Sequence, residues 1–158
     1  MDPFLTALNE MFTTTYRSIC KVEEVMLQHL SDNKLSISEM HMLESIGKNG
    51  SSVTASDIAQ DLDITPPSVT AMIKRLEKKG FITKQKSGDD ARRLEIVLTH
   101  EGRRAEIAHR YFHRKMVRAI TKEMNQAERD ALHSGLEKLN TFLTMSLDEF
   151  ARGRDELL

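Results

Sequence analysis

His109 and His113 are the residues whose type and spacing most directly suggest chemistry. Four positions apart on a helix they share one face, with Cβ atoms about 5–6 Å apart, so two imidazoles can converge on one ion. Helix packing or hydrogen bonding is the plainer use of the same pair. Cys20 is the one cysteine, so neither an internal disulfide nor a cysteine-rich zinc site can form within the chain. A single thiol with apolar flanks is more often a packed small residue than a redox sensor. Hydrolysis lacks its parts: there is no nucleophile elbow, no Gly-rich phosphate loop and no HExxH pair. The sequence predicts no enzyme.

A second set of residues suits a polyanion. Between Thr65 and Arg104 there are ten basic and five acidic residues, a local charge of +5 in a chain whose total is −1. Thr65, Pro66, Pro67, Ser68 and Thr70 form a small, polar helix start that can approach base edges and phosphates. Lys74, Arg75, Lys78 and Lys79 follow on the same helix, and Lys84, Lys86, Arg92 and Arg93 lie just beyond it. A basic stretch between acidic arms is an electrostatic footprint for nucleic acid.

The elements that must position these groups can be read from caps and periodicity. Residues 3–30 carry Phe4, Leu8, Met11, Phe12, Ile19, Val22, Val25 and Met26 at mostly helical spacings. Ser36 with Glu39 is a capping box opening a helix that stops near Gly47 and Gly50. Thr54 with Asp57 opens a short helix, 55–62, and Thr65 before two prolines caps another, 66–79. Two short helices separated by Asp63-Ile64-Thr65 have the helix-turn-helix spacing. Runs 81–86 and 94–98 then read as a hairpin with a long basic loop. Thr99 starts a helix to about residue 123, and Asn125 with Glu128 starts the last, striped by Leu132, Leu136, Leu139, Leu143, Leu147 and Phe150.

The predicted fold is mainly α, an α+β winged helix-turn-helix over 35–104. Helical segments 1–34 and 105–158 form a dimerisation region. Charged residues at 30%, aromatics at 5% and no Trp in 158 residues agree with a helical domain. No apolar run approaches the roughly 18 residues of a membrane span. Met1-Asp2-Pro3-Phe4 does not read as a signal peptide, so a cytoplasmic protein without membrane partners is expected. In the expected complex, residues 66–79 lie in the major groove of double-stranded DNA, and the hairpin tip reaches the minor groove. A dimeric module built on the same fold but binding no DNA is the alternative from another class, which four basic wing residues argue against.

The segments Val53–Ala59, Ser68–Thr70 and Arg75–Ile82, with Asp89–Leu94 and Leu98–Gly102, resemble the MarR family of bacterial regulators along nearly the whole chain. The resemblance implies a homodimer that represses or activates genes, usually in response to a ligand. It also implies a wing at about Lys84–Leu94, with Arg92 at the minor groove or stabilising the wing. Val22–Val25, Ile37–His41 and Arg110–Val117 are similar to the branch that represses fatty-acid synthesis genes. That similarity implies a long-chain acyl group on acyl carrier protein as effector; the inverted-repeat operator is expected instead from a two-fold dimer, which sets two recognition helices about one DNA turn apart. Glu23, His41, His109 and His113 also match ligand positions of the zinc-responsive members, a set suited to tetrahedral zinc as effector or structural ion. His29, Met40 and Ala108 stand where those members have a second site, and no cofactor is otherwise expected.

Overall fold

The computed structural model describes residues 2–30, 35–50, 53–86 and 94–151. Their order is α1 (Pro3–Leu30), α2 (Ile37–Lys48), α3 (Ala55–Leu62), α4 (Pro66–Lys78), β1 (Ile82–Lys86), β2 (Leu94–Leu98), α5 (His100–Thr121) and α6 (Gln126–Ala151). The chain forms two compact units, Met1–Phe112 and His113–Leu158, and the division falls inside the continuous helix α5.

Local chemistry sets the helix starts. The Ser36 and Glu39 box is formed in both directions, as is the Thr54 and Asp57 box. Asn125 and Glu128 make the same reciprocal pair before α6. Thr99 bonds the Gly102 amide at 3.1 Å and the Gly80 carbonyl at 2.7 Å, so it both caps α5 and ties it to the end of α4. Thr65 departs from expectation. It sits at the cap of α4 but makes no side-chain cap bond; its hydroxyl lies 2.9 Å from that of Ser68.

The stop expected near Gly47 and Gly50 is found, with Gly50 just past the cap at a left-handed φ of 97°. The helix α2 continues to Lys48 and is closed by Asn49. A Cβ on Gly47 would stand 2.8 Å from Cγ of Glu106, so the glycine makes room for a buried carboxylate on α5.

The first unit has one core, built from α2, α3, α4 and the hairpin. Met40, Met42, Leu43 and Ile46 of α2 meet Ile58 of α3 and Val69, Met72, Ile73 and Leu76 of α4, with Phe81, Ile82, Ile96 and Leu98 alongside. Strands β1 and β2 pair antiparallel, with Ile82 opposite Leu98 and Lys84 opposite Ile96. Val53 adds an isolated bridge to Ile96, through two backbone bonds of 3.3 and 2.8 Å. Helix α1 gives this core Leu27, and its Phe4, Met11, Phe12, Ile19, Val22 and Val25 remain exposed. In the second unit Arg129 of α6 donates to the carbonyl of Thr121 at the end of α5. Leu132, Leu136, Leu143 and Leu147 of α6 are exposed.

Candidate nucleic-acid interface

The spacing of apolar residues in α4 decides which face it shows. Val69, Met72, Ile73 and Leu76 recur at three and four and are buried. The opposite row, Pro67, Thr70, Ala71, Lys74 and Lys78, is therefore turned outward, and every member of it is exposed, as are Thr65, Pro66 and Ser68. Between α3 and α4 the turn depends on Asp63, whose φ of 49° is left-handed, followed by a bond from the Ile64 amide to the Ala59 carbonyl at 3.1 Å. Carboxamide and carboxylate side chains tolerate that region better than most, which suits Asp to the position.

The predicted contacts divide by their partners. Thr70 donates its hydroxyl to the Pro66 carbonyl at 3.0 Å, which holds the methyl and oxygen in fixed positions on the outer row. Lys74, Lys78 and Lys86 are exposed, and no ion-pair partner is seen for them among the described residues. Arg75 stands 3.4 Å from Glu39, and Lys79 donates to the same carboxylate at 2.6 Å. Lys84 on β1 donates to Glu77 of α4 at 2.5 Å, which joins the base of the wing to the helix. Arg92 and Arg93 lie outside the described residues.

Glu39 is an acid whose second role the sequence reading missed. Its side chain is 3% exposed. Burial pushes its carboxyl up, but the Lys79 hydrogen bond, the Ser36 amide and the charges of Lys79 and Arg75 together hold it below the ordinary carboxylate range. The capping box identifies the residue; nothing in its local pattern points to cations 36 and 40 positions downstream.

The candidate metal ligands fall in both units: Glu23 and His109 are buried in the first, and His113, four positions farther along α5, opens the second. The ring centroid of His41 is 6.3 Å from that of His109. His109 is fully buried, and its Nδ1 lies 2.7 Å from Glu44 Oε1. A carboxylate accepts, so Nδ1 carries the proton and Nε2 is the atom that would bind a metal. Glu44 was also missed, because it is an unremarkable acid in the sequence until α5 packs beside α2. Between α1 and the start of α2, a cleft of about 760 Å³ is lined by Tyr16, Cys20, Leu27, Leu35 and Ile37 among others. The Cys20 side chain bonds Tyr16 and raises the tyrosine pKa.

Residues 35–94 match the MarR family. The crystal structure of Streptococcus pneumoniae FabT in complex with DNA is similar at 35% identity and TM-score 0.81, over 89% of this chain and 97% of that one. The HTH-type transcriptional repressor MdtR of Bacillus subtilis is 32% identical over 82 residues, 52% of each protein. The chain thus spans about half the length of MdtR. A DNA complex of S. aureus MepR shares the fold, at 22% identity and TM-score 0.63 over 84% of this chain and 96% of that one. With a helix-turn-helix, a paired-strand wing and a relative matched over nearly its whole length, the chain belongs to the MarR family of transcriptional regulators.

Proposed function

We propose that the protein is a repressor that binds an inverted-repeat operator in double-stranded DNA as a homodimer. The observation that carries this is the outer row of α4, polar at its first turn and cationic farther along, above a fully apolar inner row. Exposed apolar side chains on α1 and α6 support the homodimer, since a two-fold pair can cover the same patch on both copies. The dimer places two recognition helices one DNA turn apart, about 34 Å. Arg92 and Arg93 are proposed as the wing-tip contacts, acting on the same duplex. The site of action is cytoplasmic, where the chromosome is, and no helix among the described residues is long and apolar enough to cross a membrane.

The targets proposed are fatty-acid synthesis genes, on the similarity of the α1, α2 and α5 segments to that branch of the family. A long-chain acyl group, free or on acyl carrier protein, is the proposed effector, and the largely apolar cleft between α1 and α2 supports it. Binding of the purified chain to promoter duplexes, followed by sedimentation and native mass spectrometry, tests both parts. A monomer at micromolar concentration, or a duplex affinity indifferent to sequence, would refute the reading.

We propose zinc as a second effector or a structural ion, on the donor chemistry of Glu23, His109 and His113. The donor set fits zinc, with two imidazole nitrogens and one carboxylate oxygen, and Glu44 holds His109 in the tautomer that ligation needs. His41 is the neighbour proposed to complete four ligands. Zinc titration of the wild type and of the His109→Ala, His113→Ala double variant, with and without operator, tests this. Equal zinc affinity in the two proteins would retire the site.

A further inference from the structure

The carboxylate of Glu39 is held on two sides. On its own helix, the Ser36 amide donates to Oε2 at 2.9 Å, which fixes the group relative to the first turn of α2. From α4, Lys79 donates to the same oxygen at 2.6 Å and Arg75 stands 3.4 Å from the other. Exposed ion pairs contribute little because both side chains must be immobilised and water screens them. This carboxylate is already immobilised by its cap and is almost wholly buried, so the lysine and arginine meet a fixed, poorly hydrated charge.

Position makes the arrangement a lever. Lys79 is the C-cap of α4 and Arg75 lies one turn before it, so both anchors are at the C-terminal end. Ser68 and Thr70, which face outward, are at the other end. At 1.5 Å per residue, Ser68 is about 16 Å from the anchor, so a tilt of about 5° moves it by roughly 1.4 Å. The buried apolar row fixes which face of α4 points inward, but apolar contact is non-directional and fixes tilt and sliding less well. Hydrogen bonds to base edges lose strength over such a shift, whereas contacts with the phosphate field hardly change.

We infer that Glu39 is a positioning residue for the recognition helix, setting the angle of α4 against α2 and hence sequence specificity more than general DNA affinity. This rests on the DNA-binding reading above. The test uses the full chain and two duplexes of equal length and composition: one recovered by in vitro selection on the wild type, the other scrambled. Glu39→Gln keeps the size of the side chain and an oxygen for the Ser36 amide but removes the charge. It should weaken binding to the selected duplex about tenfold and leave the scrambled duplex within about twofold. Lys79→Met should weaken the selected duplex similarly. The double variant should be no worse there than either single, because both break one contact.

Equal losses on both duplexes, additive losses in the double variant, or unchanged affinity for the selected duplex would each overturn the proposal. If Glu39→Gln does not fold, Glu39→Asp, which keeps the charge but shortens its reach to Lys79, carries the comparison. A wild type with no affinity for any duplex would overturn the DNA-binding reading itself, an outcome distinct from any difference between variants.

Discussion

Lys74 and Lys84 offer a direct test of how the basic centre meets DNA. Both were read from the sequence as contacts, yet Lys84 donates to Glu77 and Lys74 stands exposed on the outer row of α4. A lysine that neutralises a phosphate displaces condensed counterions, and each such contact contributes about 0.9 to the log–log slope of affinity against salt. Two copies in a dimer make the expected change for Lys74→Ala about 1.8. Between 50 and 200 mM salt that slope corresponds to roughly a tenfold difference, so the variant's deficit at low salt should nearly close at high salt. Lys84→Ala removes a charge already balanced by Glu77, and its slope should stay within about 0.5 of the wild type. Fluorescence anisotropy with a labelled operator duplex, titrated across that salt range, gives both slopes. Equal slope changes in the two variants would show that the Lys84–Glu77 pair opens on DNA, and would refute the division of cations drawn from the fold.

Three further outcomes follow from backbone and charge. Gly102→Ala should destabilise the protein by about 1–3 kcal/mol, because its Cβ would stand 2.0 Å from the Phe81 carbonyl oxygen, which already accepts the Thr99 amide at 3.0 Å. An unchanged melting temperature would contradict that packing. Asp63→Gly should stabilise by about 0.5 kcal/mol, the relief of a left-handed φ less the added freedom of the unfolded glycine; a lower melting temperature would show that the Asp side chain does more in the turn than tolerate it. Glu39 is held below the ordinary carboxylate range, so its stabilisation is complete above its unfolded pKa of about 4.3 and is lost as the pH falls through the folded value. The stability difference between wild type and Glu39→Gln should therefore be flat from pH 8 to 5 and shrink below about 4.3, as read by denaturant melts; a difference that grows on acidification would refute it.

What could be read from the sequence were the features whose partners are three or four residues away. The Ser36–Glu39, Thr54–Asp57 and Asn125–Glu128 pairs form as their spacing predicts, and with them the starts of α2, α3 and α6. The inner row of α4 follows from its period in the same way. Gly47 shows the limit. The helix stops near it as expected, but its missing side chain also admits Glu106, 59 positions later, and no local pattern shows that second use. The stripe of α1 was legible as apolar, but of its residues Met26 alone is seen packed against the core, beside a buried Leu27 that lies outside the stripe, since periodicity reports which face is apolar and not what meets it. Of the candidate metal ligands, the i, i+4 histidines stay on one helix face by geometry alone. The place of His41, its ring centroid 6.3 Å from that of His109, depends instead on how α2 packs against α5.

The same distinction governs the charge. Counting residues along the chain assigns the segment Thr65–Arg104 a charge of +5, as though each lysine and arginine were available to DNA. In three dimensions Glu39, which lies outside that segment, meets Arg75 and Lys79; Glu77 meets Lys84; and Glu101 meets Arg104. These cations hold helix to helix, wing to helix, or the first turn of α5 to itself. Lys74, Lys78 and Lys86 remain as the described cations of α4 and β1 without such a partner. An ion pair with a buried acid fixes direction, while an exposed cation supplies attraction at any angle. On the proposed reading the basic centre serves two separable ends: paired residues set where α4 points, and unpaired ones set how strongly any duplex is drawn to it, so specificity and salt dependence should respond to different substitutions.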